Sequence, residues 1–129
     1  MEKGKILIVE DDRTTAQLIN LMLTNAGYTV MGMVSSGEKA VDIAIKTKPD
    51  LVLMDIKLKG KIDGISAFNE IRKVVKIPMV FISAYTEKEM VDRAIQCDPN
   101  GYIVKPFSFF QVMKLVQETL SKSPIIAAS

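Results

Sequence analysis

Six side chains capable of chemistry stand directly after short apolar runs: Glu10, Asp11 and Asp12 after run 6–9, Asp55 after run 51–54, Ser83 after run 79–82, and Lys105, followed by Pro106, after run 102–104. If those runs are parallel strands, all six emerge at one edge of a sheet. An open α/β sheet takes its ligand in the crevice outside the carboxyl ends of its strands. Carboxylates gathered there repel one another, and one lysine cannot neutralise them. A divalent cation can: hard oxygen ligands on separate loops suit Mg²⁺, which keeps water or phosphate oxygens in its remaining positions. A carboxylate in such a site can attack phosphorus to give an aspartyl phosphate. Asp55, which ends the most central run, is the natural acceptor. Lys105 would set a fixed positive charge beside the incoming phosphoryl group, opposite the metal, and Ser83 would donate to one of its oxygens. Singly, each residue has a plainer reading. Asp12 would cap the helix starting near Arg13, Ser83 would cap a turn, and Lys105 would be a solvated charge. Their joint placement on four strand ends is what points to a site.

The elements that must position these groups are legible in the periodicity. Five apolar runs, 6–9, 28–34, 51–54, 79–82 and 102–104, alternate with segments of helical period, the pattern of an α/β chain wound around a parallel sheet. Pro49-Asp50, Ile77-Pro78 and Pro99-Asn100-Gly101 are turn signals that bound the strands. A helix predicted over 13–26 carries Ile19, Met22, Leu23 and Ala26 on one face, with Gly27 as a left-handed cap. A second, over 65–75, repeats Ile65, Phe68, Ile71 and Val75. The last stripe, Phe109, Val112, Met113, Val116 and Leu120, is closed by Ser123-Pro124. Runs 6–9 and 51–54 are the most purely apolar and belong at the sheet centre. Residues 1–122 read as one domain, and 123–129 as a C-terminal tail or the start of a linker.

Composition narrows the function classes. A chain of 129 residues, 48% apolar and 25% charged, has the make-up of one globular domain. Its net charge of +2, with interspersed signs, offers no basic stripe for nucleic acid and no polybasic patch for a membrane surface. Apolar runs this short, without a signal-peptide core, give the expectation of a cytoplasmic protein. The absence of His excludes imidazole-based zinc sites and Ser-His or Cys-His catalysis, and the lone Cys97 cannot form an internal bridge.

The motifs Ile-Leu-Ile-Val-Glu10-Asp11-Asp12, Leu-Val-Leu-Met-Asp55, Val-Phe-Ile-Ser83-Ala84 and Gly-Tyr102-Ile-Val-Lys105-Pro106-Phe107 stand in the order and near the spacing of a known family. Over about residues 5–120 the chain resembles the response-regulator receiver domains of two-component signalling, the single-domain chemotaxis regulators included. The resemblance implies a doubly wound, flavodoxin-like α/β fold: a five-stranded parallel sheet of order 2-1-3-4-5 with five helices. In the family the second acid of the pair precedes the acceptor by the 44 residues that separate Asp11 from Asp55. The implied roles follow from that register. Asp55 is phosphorylated, Asp11 and Asp55 hold Mg²⁺ (or Mn²⁺) together with the backbone carbonyl of Lys57, and Glu10 acts through water. Ser83 and Lys105 meet the phosphoryl group, Tyr102 is the aromatic that reorients on activation, and Lys57 and Tyr85 tune the phosphate's lifetime. A cis peptide before Pro106 is implied as well, aiming Lys105 at Asp55. Two departures stand out. Lys59 replaces the usual Pro in a loop one residue longer than is common and carrying three lysines, and Cys97-Asp98-Pro99 replaces the usual Gly-Ala before the fifth strand. The loop pattern is similar to that of receivers joined to sensor modules in larger signalling proteins.

The implied function is a regulatory domain, not an enzyme beyond catalysing its own phosphorylation and dephosphorylation. It would take phosphate from a sensor histidine kinase or phosphotransfer protein and signal to an unidentified output partner or domain, as a monomer or a phosphorylation-promoted dimer. A rotation of Tyr102, released by movement of Ser83, would reshape the face made by the helix after Thr86, the fifth strand and the last helix. The competing readings are a degenerate receiver serving only as an interaction module, a haloacid-dehalogenase-like Mg²⁺-dependent phosphatase and a flavodoxin-type nucleotide module. The phosphatase would need a second Asp where Lys57 stands, and the nucleotide module would need a glycine-rich loop where Glu10-Asp11-Asp12 stands.

Overall fold

Alternate residues of the apolar runs go to opposite faces of a sheet, and helices cover both. The structure, a computed structural model, describes residues 3–84 and 87–128, with side chains described as far as 121. The elements are β1 (Lys5–Val9), α1 (Arg13–Asn25), β2 (Thr29–Val34), α2 (Gly37–Thr47), β3 (Leu51–Met54), α3 (Gly64–Val74), β4 (Met79–Ser83), α4 (Lys88–Gln96), β5 (Gly101–Val104) and α5 (Phe109–Ala128). All strand pairs are parallel and the order is β2-β1-β3-β4-β5, the expected doubly wound arrangement. Ile6, Ile8, Leu51, Leu53, Val80 and Ile82 face α1 and α5, packing on Ile19, Leu23, Val112 and Val116. Leu7, Val9, Val52, Met54 and Phe81 face α2, α3 and α4, where Phe68 stacks on Phe81 with ring centroids 5.1 Å apart. Every residue of β3 and β4 is buried, as strands covered on both faces require. Edge strand β2 is only partly buried and carries a bulge: Ile6 pairs with Val30 but Leu7 with Gly32, so Met31 is the extra residue.

Boundaries differ from the sequence reading where the backbone has other partners. The Tyr28 N–H donates to Leu23 and that of Gly27 to Thr24, with Gly27 at φ +98°, so Tyr28 closes α1 in a Schellman motif and β2 starts one residue later. Helix α5 does not close at Ser123-Pro124 but runs on to Ala128. Pro124 lacks only its own N–H, and the carbonyl of Leu120 goes without that bond while the helical course continues. Among the described residues no helix is long and apolar enough to cross a membrane.

The connection from β3 to α3 is the longest at the carboxyl edge, and it is pinned at its far end. Asp63 caps α3 by accepting from the Ser66 N–H at 2.8 Å, and the Gly64 N–H donates back to the Ile56 carbonyl at 2.7 Å. A Cβ at Gly64 would overlap the carbonyl oxygen of Asp55, so this position needs glycine for close backbone approach. Gly64→Ala should therefore lower the unfolding free energy by about 1–3 kcal/mol, the usual range for overpacking. Urea denaturation checks this, and a variant as stable as wild type would show that the loop yields without cost.

Candidate functional site

Parallel pairing carries the reactive residues as far as the last ladder bonds. The Glu10 N–H donates to Val34, that of Asp55 to Val9 and that of Lys105 to Ser83, each at 2.9 Å. The backbone of these three residues is thereby fixed by the sheet itself, one position beyond β1, β3 and β5. Ser83 is the last residue of β4 and wholly buried. Their side chains converge. Lys105 Nζ lies 2.7 Å from Glu10 Oε1 and 3.0 Å from Asp55 Oδ2, and the other Glu10 oxygen accepts from the Asp12 N–H at 3.1 Å. Glu10 and Asp55 are 4% and 5% exposed, too little for solvent to screen them. Asp11, half-buried, has no hydrogen bond or ion pair among the described residues. The Lys105–Pro106 peptide is cis.

The electrostatics follow from this crowding. Burial pushes the Glu10 carboxyl up to about 7; the Lys105 ammonium opposes that shift without cancelling it, and neighbouring Asp55 adds to it. For Lys105 burial works against the charge, but Glu10 and Asp55 outweigh it and hold the ammonium above its ordinary value. Glu10, Asp11 and Asp55 form the one acidic group among the described residues whose ligand oxygens all lie within 4.8 Å of one another. Two carboxylates on one ammonium and a third, Asp11, without a partner among the described residues are a donor set suited to a hard divalent cation. They edge a cavity of about 410 Å³ that Asp12, Lys57, Ser83, Ala84, Glu87 and Lys105 also line.

Most residues singled out in the sequence meet here. Asp12 occupies the N-cap position of α1, but its carboxylate accepts from the Thr15 hydroxyl and caps no helix N–H. Tyr102 sits behind the cavity, half-buried, its ring centroid 6.2 Å from that of Phe81. Its phenol lies beside Ser83, and burial raises its pKa above the ordinary value. Tyr85 and Thr86 lie outside the described residues. Glu87 on the cavity wall was not singled out, since an acid just before a helix reads as a helix-start residue.

Comparison with known proteins agrees with this geometry. The sequence profile of the response regulator receiver domain matches residues 6–117. The transcriptional regulatory protein PdtaR of Mycobacterium tuberculosis is 34% identical over 124 residues, which span 96% of this chain but only 60% of that protein. The chemotaxis protein CheY of Bacillus subtilis is 34% identical over 91% of this chain and 98% of its own length. Among solved structures, the receiver domain of a Pseudomonas aeruginosa sensor histidine kinase, with a magnesium ion coordinated in its active-site cleft, superposes with a TM-score of 0.84 at 30% identity, covering 92% of this chain and 98% of that one.

Burial of Glu10 sets a pH dependence. A carboxyl whose folded-state pKa is raised holds a proton that the unfolded chain has released, so its contribution to stability is complete below about pH 4.5 and is lost as pH rises to about 7. In metal-free protein, wild type should lose stability relative to Glu10→Gln across that window. Denaturation curves at several pH values test this, and a constant difference between the two proteins would contradict the burial argument.

Proposed function

The chain belongs to the response regulator receiver family, and from that premise we propose that it accepts a phosphoryl group on Asp55 from the phosphohistidine of a sensor kinase or phosphotransfer protein and signals through a phosphorylation-dependent surface. The observation that carries the proposal is the contact of one ammonium with two buried carboxylates beside an unpartnered third. Mg²⁺, held by Asp11, Asp55 and the Lys57 carbonyl with Glu10 acting through water, would neutralise charge on the phosphoryl oxygens. An Asp55 oxygen bonds to phosphorus as the phosphorus–nitrogen bond of the donor imidazole breaks, and the bonding pair leaves with that nitrogen. Lys105, already 3.0 Å from Asp55, offers its positive charge to the phosphoryl oxygens without having to travel. The domain is regulatory in character, and its chemistry is confined to this self-modification.

The signalling step uses the Ser83–Tyr102 pair. The Ser83 hydroxyl that would turn toward a phosphoryl oxygen lies beside the Tyr102 phenol, so a phosphoryl group on Asp55 would change what Tyr102 packs against. Movement of Ser83 would let Tyr102 repack on Phe81 and change the surface formed by α4, β5 and α5, where an output partner, an output domain or a second copy would bind. Moving a two-state element from 1:99 to 99:1 takes about 5.5 kcal/mol, so a partial shift in isolation, completed by the partner, is expected.

Incubation with a small acyl phosphate and Mg²⁺ should give an acid-stable, base-labile adduct that Asp55→Asn lacks; label retained by that variant would place the acceptor elsewhere. Adding a beryllofluoride mimic should shift the amide resonances of β5 and α5 in wild type but only weakly in Ser83→Ala and Tyr102→Ala. A full response in both variants would exclude this coupling route.

A further inference from the structure

We propose that Glu38, on α2, is a positioning residue for the Asp55 site, because its carboxylate ties down the lysine-rich loop that carries Lys57. The inference rests on the reading of that site as a Mg²⁺-dependent phosphoryl acceptor. The loop does not stay beside β3. It crosses the end of β1, which lies between β3 and β2, and pairs with the segment after β2. There the Lys59 N–H donates to the Ser35 carbonyl at 3.1 Å, and Ser36 and Lys59 form an isolated parallel bridge. One turn further, Glu38 Oε2 accepts from the Lys61 N–H at 2.8 Å.

Two glycines make this junction possible. Gly60 sits at φ +95° with its α-carbon so close to Glu38 that a Cβ would collide with the Oε1 atom. Across the same seam, a Cβ on Gly37 would fall 2.6 Å from the Ile62 side chain and 3.0 Å from its carbonyl oxygen. Lys57 is therefore suspended between two fixed points, Asp55 on the sheet ladder and Lys59 on the bridge, each two residues away. The loop also separates two cavities that share Glu10 and Asp11 as a wall: Lys57 lines the phosphoryl cavity, and Lys59 lines a second one of about 370 Å³ beside Arg13 and Lys39. Freeing the loop at Lys61 loosens the bridge next to it and lets the Lys57 carbonyl, the ligand proposed above, shift relative to Glu10, Asp11 and Asp55. Groups outside a metal's own ligands that orient those ligands typically change affinity by about 10–100-fold when removed.

The test uses metal-free and Mg²⁺-titrated protein, read by amide hydrogen exchange and by amide chemical shifts. In metal-free Glu38→Ala the Lys61 and Lys59 amides should exchange faster than in wild type, and the Mg²⁺ dissociation constant should rise by about 10-fold. Glu38→Gln keeps an acceptor oxygen and should restore both to within about twofold of wild type, a rescue that general loss of helix stability would not show. Gly60→Ala should behave like Glu38→Ala. The proposal is overturned by Mg²⁺ affinity unchanged in Glu38→Ala, by Lys61 protection that does not depend on Glu38, or by a Gln variant as impaired as Ala. If wild type binds no Mg²⁺ while Lys61 protection still depends on Glu38, the reading of the site fails and this inference falls with it.

Discussion

One lysine bridges two buried carboxylates beside a third at the carboxyl edge of the sheet, and the rest of the architecture can be understood as the means of holding them there. Two like charges roughly 4 Å apart repel by about 4 kcal/mol at an effective dielectric of about 20, and burial of Glu10 and Asp55 keeps water from relieving that repulsion. Left to themselves the side chains would swing apart. They do not, because the Lys105 ammonium bridges Glu10 and Asp55 at 2.7 and 3.0 Å, while the ladder fixes their backbones and two apolar layers clamp the strands behind them. The site is thus strained in charge while being regular in backbone, a combination that leaves it ready for a cation and a phosphoryl group without refolding.

The same clamp bears on the signalling proposed for the site. Ser83 is wholly buried at the end of β4 beside Tyr102, so its hydroxyl has few positions to choose from. Tyr102 in turn packs near Phe81, which stacks on Phe68 and so joins α3 to the sheet. In the proposed switch a rotation at Ser83 would move a bulky ring against a packed surface, where interiors tolerate discrete rearrangements better than gradual ones.

The chemistry was legible in the sequence because it sits where strands end, and strand ends are marked by the change from apolar to polar residues. Glu10, Asp11, Asp55, Ser83 and Lys105 all carry that mark. So do the central positions of β1 and β3 and the left-handed cap at Gly27. What stayed hidden depends on contacts between distant segments. Nothing about Glu38 distinguishes it from any exposed acid in a first helical turn, and its partner is a backbone N–H 23 residues away in sequence. Gly64 carried a faint signal in the Asp63-Gly64 pair, but its reason, the carbonyl of Asp55 pressed against it, exists only once the loop has closed. The continuation of α5 past Pro124 is not legible in the sequence, because a proline is a local stop signal while the helical course depends on the residues on both sides of it.

The bulge in β2 has a consequence for life in a crowded cell. A sheet with exposed outer strands can recruit further chains by offering them an unpaired row of amides and carbonyls, the route to fibrous aggregates. Here the outer strand on one side is kinked at Met31 and thinned by Gly32, against which the Leu7 side chain is pressed, so its free rim is twisted out of the flat register that a recruited strand would need. On the other side β5 is only 4 residues long. The irregularity thus works as a safeguard: this doubly wound sheet stops at five strands because neither rim is a good template for a sixth.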